Sequence, residues 1–202
     1  MNTLKLNPSL SLPQLYFCPG EQIPCPPQVI YLCTRGVVLV TTCHAGGEEG
    51  VLGLMTPGLP FGVPLSGAQP YIATALTQTC LHKINFADLN RSPQLAHQFL
   101  PHLLERLRLN EEFFAVTNQR RVQERFVALL ILLAKRAGRR TEQGIALDIR
   151  LTHQQIASAI NATRVTVTRL MGRCRELGLV LDHPRHMLIC NLEKLESYLE
   201  EA

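Results

Sequence analysis

Residues 151–181, LTHQQIASAINATRVTVTRLMGRCRELGLVL, constrain the fold more than any other stretch of this chain. They predict a helix, a tight turn, a second helix and a strand. Thr152 precedes Gln155 by three positions, the spacing at which a capping box satisfies two backbone N–H groups at a helix start. Ile156, Ala157 and Ile160 then share one face, the face expected to be buried. Asn161-Ala162 is a short break, and asparagine tolerates the left-handed backbone that a helix end favours. Thr163 is placed to cap the second helix. In that helix Val167, Leu170, Met171, Cys174 and Leu177 recur at steps of three and four and are expected to point inward. Arg164, Val165, Thr168 and Arg169 lie away from them. Gly178 closes the helix at the C′ position. Residues 178–181 and 186–190 predict two short strands joined by a turn at His183-Pro184-Arg185, which makes a wing.

The outer face of the second helix carries the residue types that a DNA duplex selects. The major groove admits one helix, and guanine offers two acceptors there that match the fork of an arginine. Valine can touch a thymine methyl, while threonine hydroxyls and helix N-termini bind phosphate oxygens. Arg164, Arg169, Arg173, Arg175 and Arg185 form a basic stripe, opposed only by Glu176 and Asp182. The alternatives are a solvated face in an ordinary bundle and an adaptor whose winged domain binds only protein; the arginines at 164 and 169 argue against both. Enzyme chemistry finds no nucleophile elbow, phosphate loop or paired carboxylates on a shared element. No acid is placed to partner His153, which is therefore expected at the surface or facing a phosphate. No catalytic residue is nominated.

The rest of the chain divides unevenly. Residues 1–100 hold Lys5, Arg35, Lys83 and Arg91 against Glu21, Glu48, Glu49 and Asp88, so the whole net charge of +4 comes from residues 101–202. Eleven of the 13 prolines also fall in the first half, which disfavours long helices there. Runs at 29–33, 37–42, 51–55 and 71–84, punctuated by Arg35-Gly36 and Ala45-Gly46-Gly47, predict short antiparallel strands closing into a small roll. Ser92-Pro93 is a helix start, serine as cap and proline in the first turn. Pro101 is expected to break that helix or start a new one. Leu100, Leu103, Leu104, Leu107, Phe113, Phe114 and Val116 then mark an apolar face that must pack on something, with Asn110 and Glu111 interrupting the seam. A further helix over 121–137 offers Phe126, Leu129, Leu130, Leu132 and Leu133 as core and ends at Gly138. The 17 residues at the start lack a basic segment followed by an apolar block, and no run of eighteen apolar residues occurs, so the expected location is the cytoplasm, with no membrane association.

The chain resembles the cyclic-AMP receptor protein/FNR family of bacterial transcription regulators, most of all its NtcA-type nitrogen regulators. The resemblance is carried by Thr163-Arg164-Val165-Thr166-Val167-Thr168-Arg169-Leu170, preceded by Leu151-Thr152-His153-Gln154 and Ile156-Ala157. It is strong over 120–190 and looser over 15–90. It implies a position at Arg164 that reads a guanine, positions at Val165 and Arg169 facing neighbouring bases, and a phosphate contact at Thr166. It also implies a GTA half-site with its inverted copy TAC, a homodimer built on the 92–118 helix, and RNA polymerase as a partner. Together with the residue reading, the expected DNA contacts are Thr152, His153, Thr163, Arg164, Val165, Thr166, Thr168, Arg169 and Arg173.

The family senses ligands in its roll. Cyclic AMP is disfavoured, because residues 61–71, FGVPLSGAQPY, lack the glutamate and the arginine of the phosphate cassette. For 2-oxoglutarate, Phe61-Gly62-Val63 matches the backbone part of the NtcA-type site, and Arg106 and Glu111 match its helix-borne part. The arginine expected from the roll aligns with Gln69, so a 2-oxoglutarate-like effector would meet a site short of one carboxylate clamp. A degenerate, ligand-free roll with constitutive regulation is the alternative. No cofactor is nominated. Cys18, Cys25, Cys33 and Cys43 lie seven, eight and ten residues apart with no C-x-x-C pair, which supports neither zinc nor the tighter FNR-type cluster; the cysteines are expected to act as small buried hydrophobes. Cys80-Leu81-His82 sits late for a haem-ligating role. The predicted architecture is α+β: an N-terminal antiparallel β-roll (jelly roll) over 1–91, a dimerisation helix over 92–118, and a winged helix-turn-helix over 119–202.

Overall fold

The computed structural model describes residues 12–183 and 186–201. They fall into two compact units, divided between Asn110 and Glu111.

The first unit is built from two antiparallel sheets. One has the order β1-β7-β2-β5, from β1 (Gln14–Phe17), β2 (Val29–Arg35), β5 (Pro60–Phe61) and β7 (Thr79–Asn85). The other has the order β4-β3-β6, from β3 (Val38–Cys43), β4 (Glu49–Met55) and β6 (Ile72–Ala75). Strand alternation explains why β2 is buried on both sides. Ile30 and Leu32 point one way, onto Ile84 and onto Leu95 and Phe99 of the following helix, while Tyr31 and Cys33 point the other. Tyr31 meets Phe61 with ring centroids 5.4 Å apart. Gly62 follows at φ 141°, and a Cβ there would lie 2.6 Å from the Val29 carbonyl, so glycine alone lets this segment approach β2. β1, β5 and the short helix α1 (Phe86–Arg91) are elements the sequence reading did not separate out.

The helix α2 (Pro93–Thr117) starts where expected, the Ser92 hydroxyl accepting the Leu95 N–H at 3.2 Å. Pro101 does not break it: the helix runs through for 25 residues. The missing N–H and the ring clash cost about 3 kcal/mol. Buried Leu95 and Phe99 before the proline, and His102 immediately after it, fasten both halves to the roll and offset that cost. The predicted apolar face also splits. Leu100, Leu103, Leu104, Leu107 and Phe114 are exposed, whereas Val116 is buried and Phe113 half-buried.

His102 is 1% exposed, and its Nδ1 donates to the Gly58 carbonyl at 2.8 Å. Burial holds its imidazole below the usual histidine range, partly opposed by the Gly58 bond. The unfolded chain therefore takes up a proton near pH 6.5 that the folded roll resists, and stability falls as pH drops below about 6.5. His82, also lowered by burial, adds with the same sign. Denaturant midpoints measured from pH 7.5 to pH 5 are expected to fall with acid, and to fall less in His102→Asn. An unchanged pH slope in that variant contradicts the assignment.

The second unit contains the last turns of α2, then α3 (Val122–Ala137), a hairpin of β8 (Gly138–Thr141) and β9 (Gly144–Leu147), α4 (His153–Ala159), α5 (Arg164–Glu176), β10 (Val180–His183), β11 (His186–Cys190) and α6 (Leu192–Glu200). Its sheet has the order β10-β11-β9-β8. Phe126 and Leu130 of α3, Leu147 and Ile149, Ile156 and Ile160, and Met171 of α5 are all fully buried. Each contributes about 1.5–3 kcal/mol of apolar burial. Arg136 of α3 forms a bidentate pair with Glu112 of α2, its Nε 2.9 Å from Oε2. Leu132, expected in the core, is half-buried. The expected wing turn at Pro184-Arg185 lies outside the described residues.

Candidate nucleic-acid interface

Local sequence sets the two helices of the predicted reading motif. Thr152 and Gln155 form the expected capping box: the Gln155 N–H donates to Thr152 Oγ1 at 3.1 Å and the Thr152 N–H to Gln155 Oε1 at 2.9 Å. Ile156, Ala157 and Ile160 are fully buried. Asn161 takes φ 51°, and the Ala162 N–H returns to the Ala157 carbonyl at 2.9 Å, which closes α4 in a left-handed turn. Thr163 Oγ1 then accepts the Thr166 N–H at 3.2 Å and starts α5. At the far end Gly178 has φ 66°.

Val167, Leu170, Met171 and Cys174 bury one side of α5. Leu177 does not join them. It caps the helix at 46% exposure, past the last residue with a helical neighbour to follow. On the opposite side Arg164, Thr168, Val165, Arg169 and Arg173 are all exposed, and at about 100° per residue they cover about half of the helix circumference. Val165 is 78% exposed, an apolar side chain standing in solvent between arginines. Among the described residues no carboxylate pairs with Arg164, Arg169 or Arg173. Arg175 differs: its Nε lies 2.9 Å from Asp182, which takes it out of the expected stripe, and Arg185 lies outside the described residues.

The remaining expected contacts surround this face. Thr152 and Thr163 are exposed and Thr166 is half-buried, its hydroxyl 2.9 Å from that of Thr163. His153, half-buried at the start of α4, sits with Nδ1 2.8 Å from Thr168 Oγ1. The Thr168 hydroxyl donates to the Arg164 carbonyl at 3.0 Å, so for both bonds to hold the imidazole donates from Nδ1. His153 thereby ties α4 to the middle of α5, a bond between residues fifteen positions apart that helix periodicity does not announce.

The expected effector residues are arranged differently. Phe61 is buried in β5, and Val63 opens a short 3-10 turn, Val63–Leu65. The Gly62 N–H donates to the Tyr71 hydroxyl at 3.0 Å. Arg106 of α2 is largely buried, with its guanidinium against the Met55 sulfur and near Tyr71. Burial lowers Arg106 from the ordinary arginine range, while Tyr71 opposes the shift; burial likewise raises Tyr71. Glu111 is exposed further along α2. Tyr71 was not singled out in the sequence, although it is the group that meets both Gly62 and Arg106. The cysteines also divide: Cys33, Cys174 and Cys190 are buried as expected, whereas Cys18 and Cys43 are exposed. Burial pushes the Cys33 and Cys190 thiols up to about 12 and Cys174 up to about 11, so these three remain protonated and unreactive.

Comparison with known proteins places this geometry. Residues 124–198 match the Crp-like helix-turn-helix domain. The global nitrogen regulator of Synechococcus elongatus is 32% identical over 184 residues, covering 87% of this chain and 81% of that protein. The regulatory protein CysR of the same species is 31% identical over 170 residues, covering 83% and 79%. Among solved structures, a CRP-family transcriptional regulator from Thermus thermophilus superposes with a TM-score of 0.78 at 24% identity, covering 93% of this chain and 97% of that one. These are transcription regulators and not enzymes. No helix among the described residues is long and apolar enough to cross a membrane. The chain belongs to the cyclic-AMP receptor protein/FNR family and is a DNA-binding transcription regulator.

Proposed function

We propose that this protein binds a near-palindromic site of the form GTA…TAC as a homodimer, with one α5 in each of two successive major-groove faces. The observation that carries the reading is the outer face of α5, where Arg164, Val165, Thr168, Arg169 and Arg173 are exposed on a helix otherwise fixed by its buried side. Arg164 is assigned to guanine, Val165 and Arg169 to the bases beside it. Thr152, His153, Thr163, Thr166 and Arg173 are assigned to phosphates or to the support of the reading face.

The dimer rests on α2. Leu100, Leu103, Leu107 and Phe114 follow a three-four spacing, with Leu104 beside them, and all are exposed in the single chain. Asn110 falls in the same seam and would set its register. Two reading helices related by a two-fold axis would meet successive major-groove faces about 34 Å apart, one helical turn of DNA. Acting in the cytoplasm, such a dimer would engage RNA polymerase as family members do. Functionally the chain divides into a roll over 1–91, a dimerisation segment over 92–118 and a reader over 119–202.

Control through the roll admits two readings. An effector-modulated roll would place a 2-oxoglutarate-like acid against Arg106 and the Gly62 backbone, with Phe61 and Val63 around it. A roll that works without effector is favoured by the Tyr71 hydroxyl, which already occupies the Gly62 N–H. Cyclic AMP has no arginine in this segment to meet its phosphate.

Mobility shifts on a GTA…TAC duplex and on a scrambled one, across salt concentrations, test the reading. Specific binding is expected to exceed scrambled binding by about 10³-fold or more at physiological salt. Both should weaken steeply as salt rises. Equal binding to the two duplexes contradicts it.

A further inference from the structure

Arg125 of α3 faces two pairs of backbone carbonyls that belong to different segments of the second unit. Its Nε donates to the Ile160 carbonyl at 2.8 Å, and Nη2 lies 3.4 Å from that of Asn161. Its Nη1 donates to the Gln119 carbonyl at 3.1 Å and lies 3.5 Å from that of Arg120. Ile160 and Asn161 form the turn between α4 and α5; Gln119 and Arg120 form the linker between α2 and α3. Among the described residues no carboxylate pairs with Arg125. Its charge is met by backbone oxygens, among them the carbonyls at the C-terminal end of α4, where a helix carries partial negative charge.

We propose that Arg125 is a positioning residue for base reading: it pins the α4–α5 turn to the linker after α2 and so fixes where Thr163 and Arg164 present the reading face. The proposal rests on α5 being the element that reads bases. Asn161 is the one non-glycine residue with a left-handed backbone among the described residues, and only Ala162 and Thr163 separate it from Arg164. A turn this short has few torsions with which to absorb a shift. A planar, five-donor fork can hold both carbonyl sets at once. A lysine ammonium, a single point on a flexible stem, can hold one. Base contacts need their partners held within about 0.5 Å, whereas phosphate attraction tolerates displacement. Loosening the turn should therefore reduce discrimination between sequences more than it reduces binding to DNA as such.

The test compares the full-length wild type with Arg125→Gln and Arg125→Lys. The specific duplex is one that the wild type itself selects from a random pool, and the competitor is random DNA. The ratio of specific to random affinity is expected to fall about tenfold or more in Arg125→Gln and about threefold in Arg125→Lys, with the salt slope unchanged. Amide exchange at residues 160–164 of the free variants should quicken. Should Arg125→Gln fail to fold, the fall of about threefold in Arg125→Lys carries the test. A ratio within about twofold of wild type in every folded variant overturns the proposal. So does an equal loss on both duplexes with a salt slope reduced by about 0.9, which would make Arg125 a phosphate contact. A wild type that selects no sequence at all removes the base-reading function itself, and this proposal with it.

Discussion

Arg164→Ala is expected to cost about 1–3 kcal/mol at each half-site, and so about 2–6 kcal/mol for a dimer that engages both. The loss should be confined to sequence. Binding to the guanine-containing site falls, preference at the guanine position relaxes, and affinity for random duplex changes little. Three features of the structure lead to this result. Arg164 is the first residue of α5, beyond the Thr163 cap, where a helix entering the groove end-on meets base edges. It is exposed, and no carboxylate among the described residues holds it. Its removal exposes no core, since the packing of α5 depends on Val167, Leu170, Met171 and Cys174. Thermal unfolding should therefore stay close to that of the wild type, which separates loss of reading from loss of fold. Competition titrations on duplexes substituted at every half-site position check it. An equal loss on specific and random DNA would assign Arg164 to phosphate instead.

Leu107→Glu is expected to have the larger effect. Leu107 is 55% exposed at the centre of the α2 stripe, with Leu103 and Leu104 one turn before it and Phe114 beyond. In a dimer the substitution removes two leucines from the seam at about 1.5–3 kcal/mol each and sets two carboxylates against each other. A weakening of about 4 kcal/mol or more raises the dimer dissociation constant about a thousandfold. Sedimentation of the variant at micromolar concentration should give the mass of one chain, and binding to the two-half-site duplex should collapse to that of one reader. The roll should remain folded, because Leu107 contributes nothing to the buried set of Leu95, Phe99, His102 and Leu109. A variant that sediments as a dimer contradicts the assignment of this face.

The sequence announced what is decided locally. Capping at Thr152 and Thr163, the left-handed turn at Asn161 and the glycine stop at Gly178 each depend on a few adjacent residues, and the structure has all of them. Burial along α5 followed the helical period until the period ended, which is why Leu177 at the cap was misplaced. At Pro101 the local rule is overridden by packing that lies elsewhere in the chain, on Ile30, Leu32 and Ile84. The β8–β9 hairpin was hidden by Arg139 and Arg140, exposed charges in strands of four residues. By contrast the signal for α6 is local: Asn191 caps it, and Leu192, Leu195 and Leu199 recur at helical spacing. Least legible were contacts made across long separations. The bonds from His153 to Thr168, from Arg125 to Ile160 and from Gly62 to Tyr71 join positions that neither helical nor strand spacing pairs. They are set by how helices and strands pack, which one-dimensional spacing does not encode.

Guanine-N7 methylation interference on a bound site probes the major-groove claim at its contact atoms. If α5 of each copy presents Arg164 to a guanine, methylation at two guanines, related by the dyad and about one helical turn apart, abolishes complex formation. A complex that tolerates N7 methylation at every guanine would show that this helix does not read the bases.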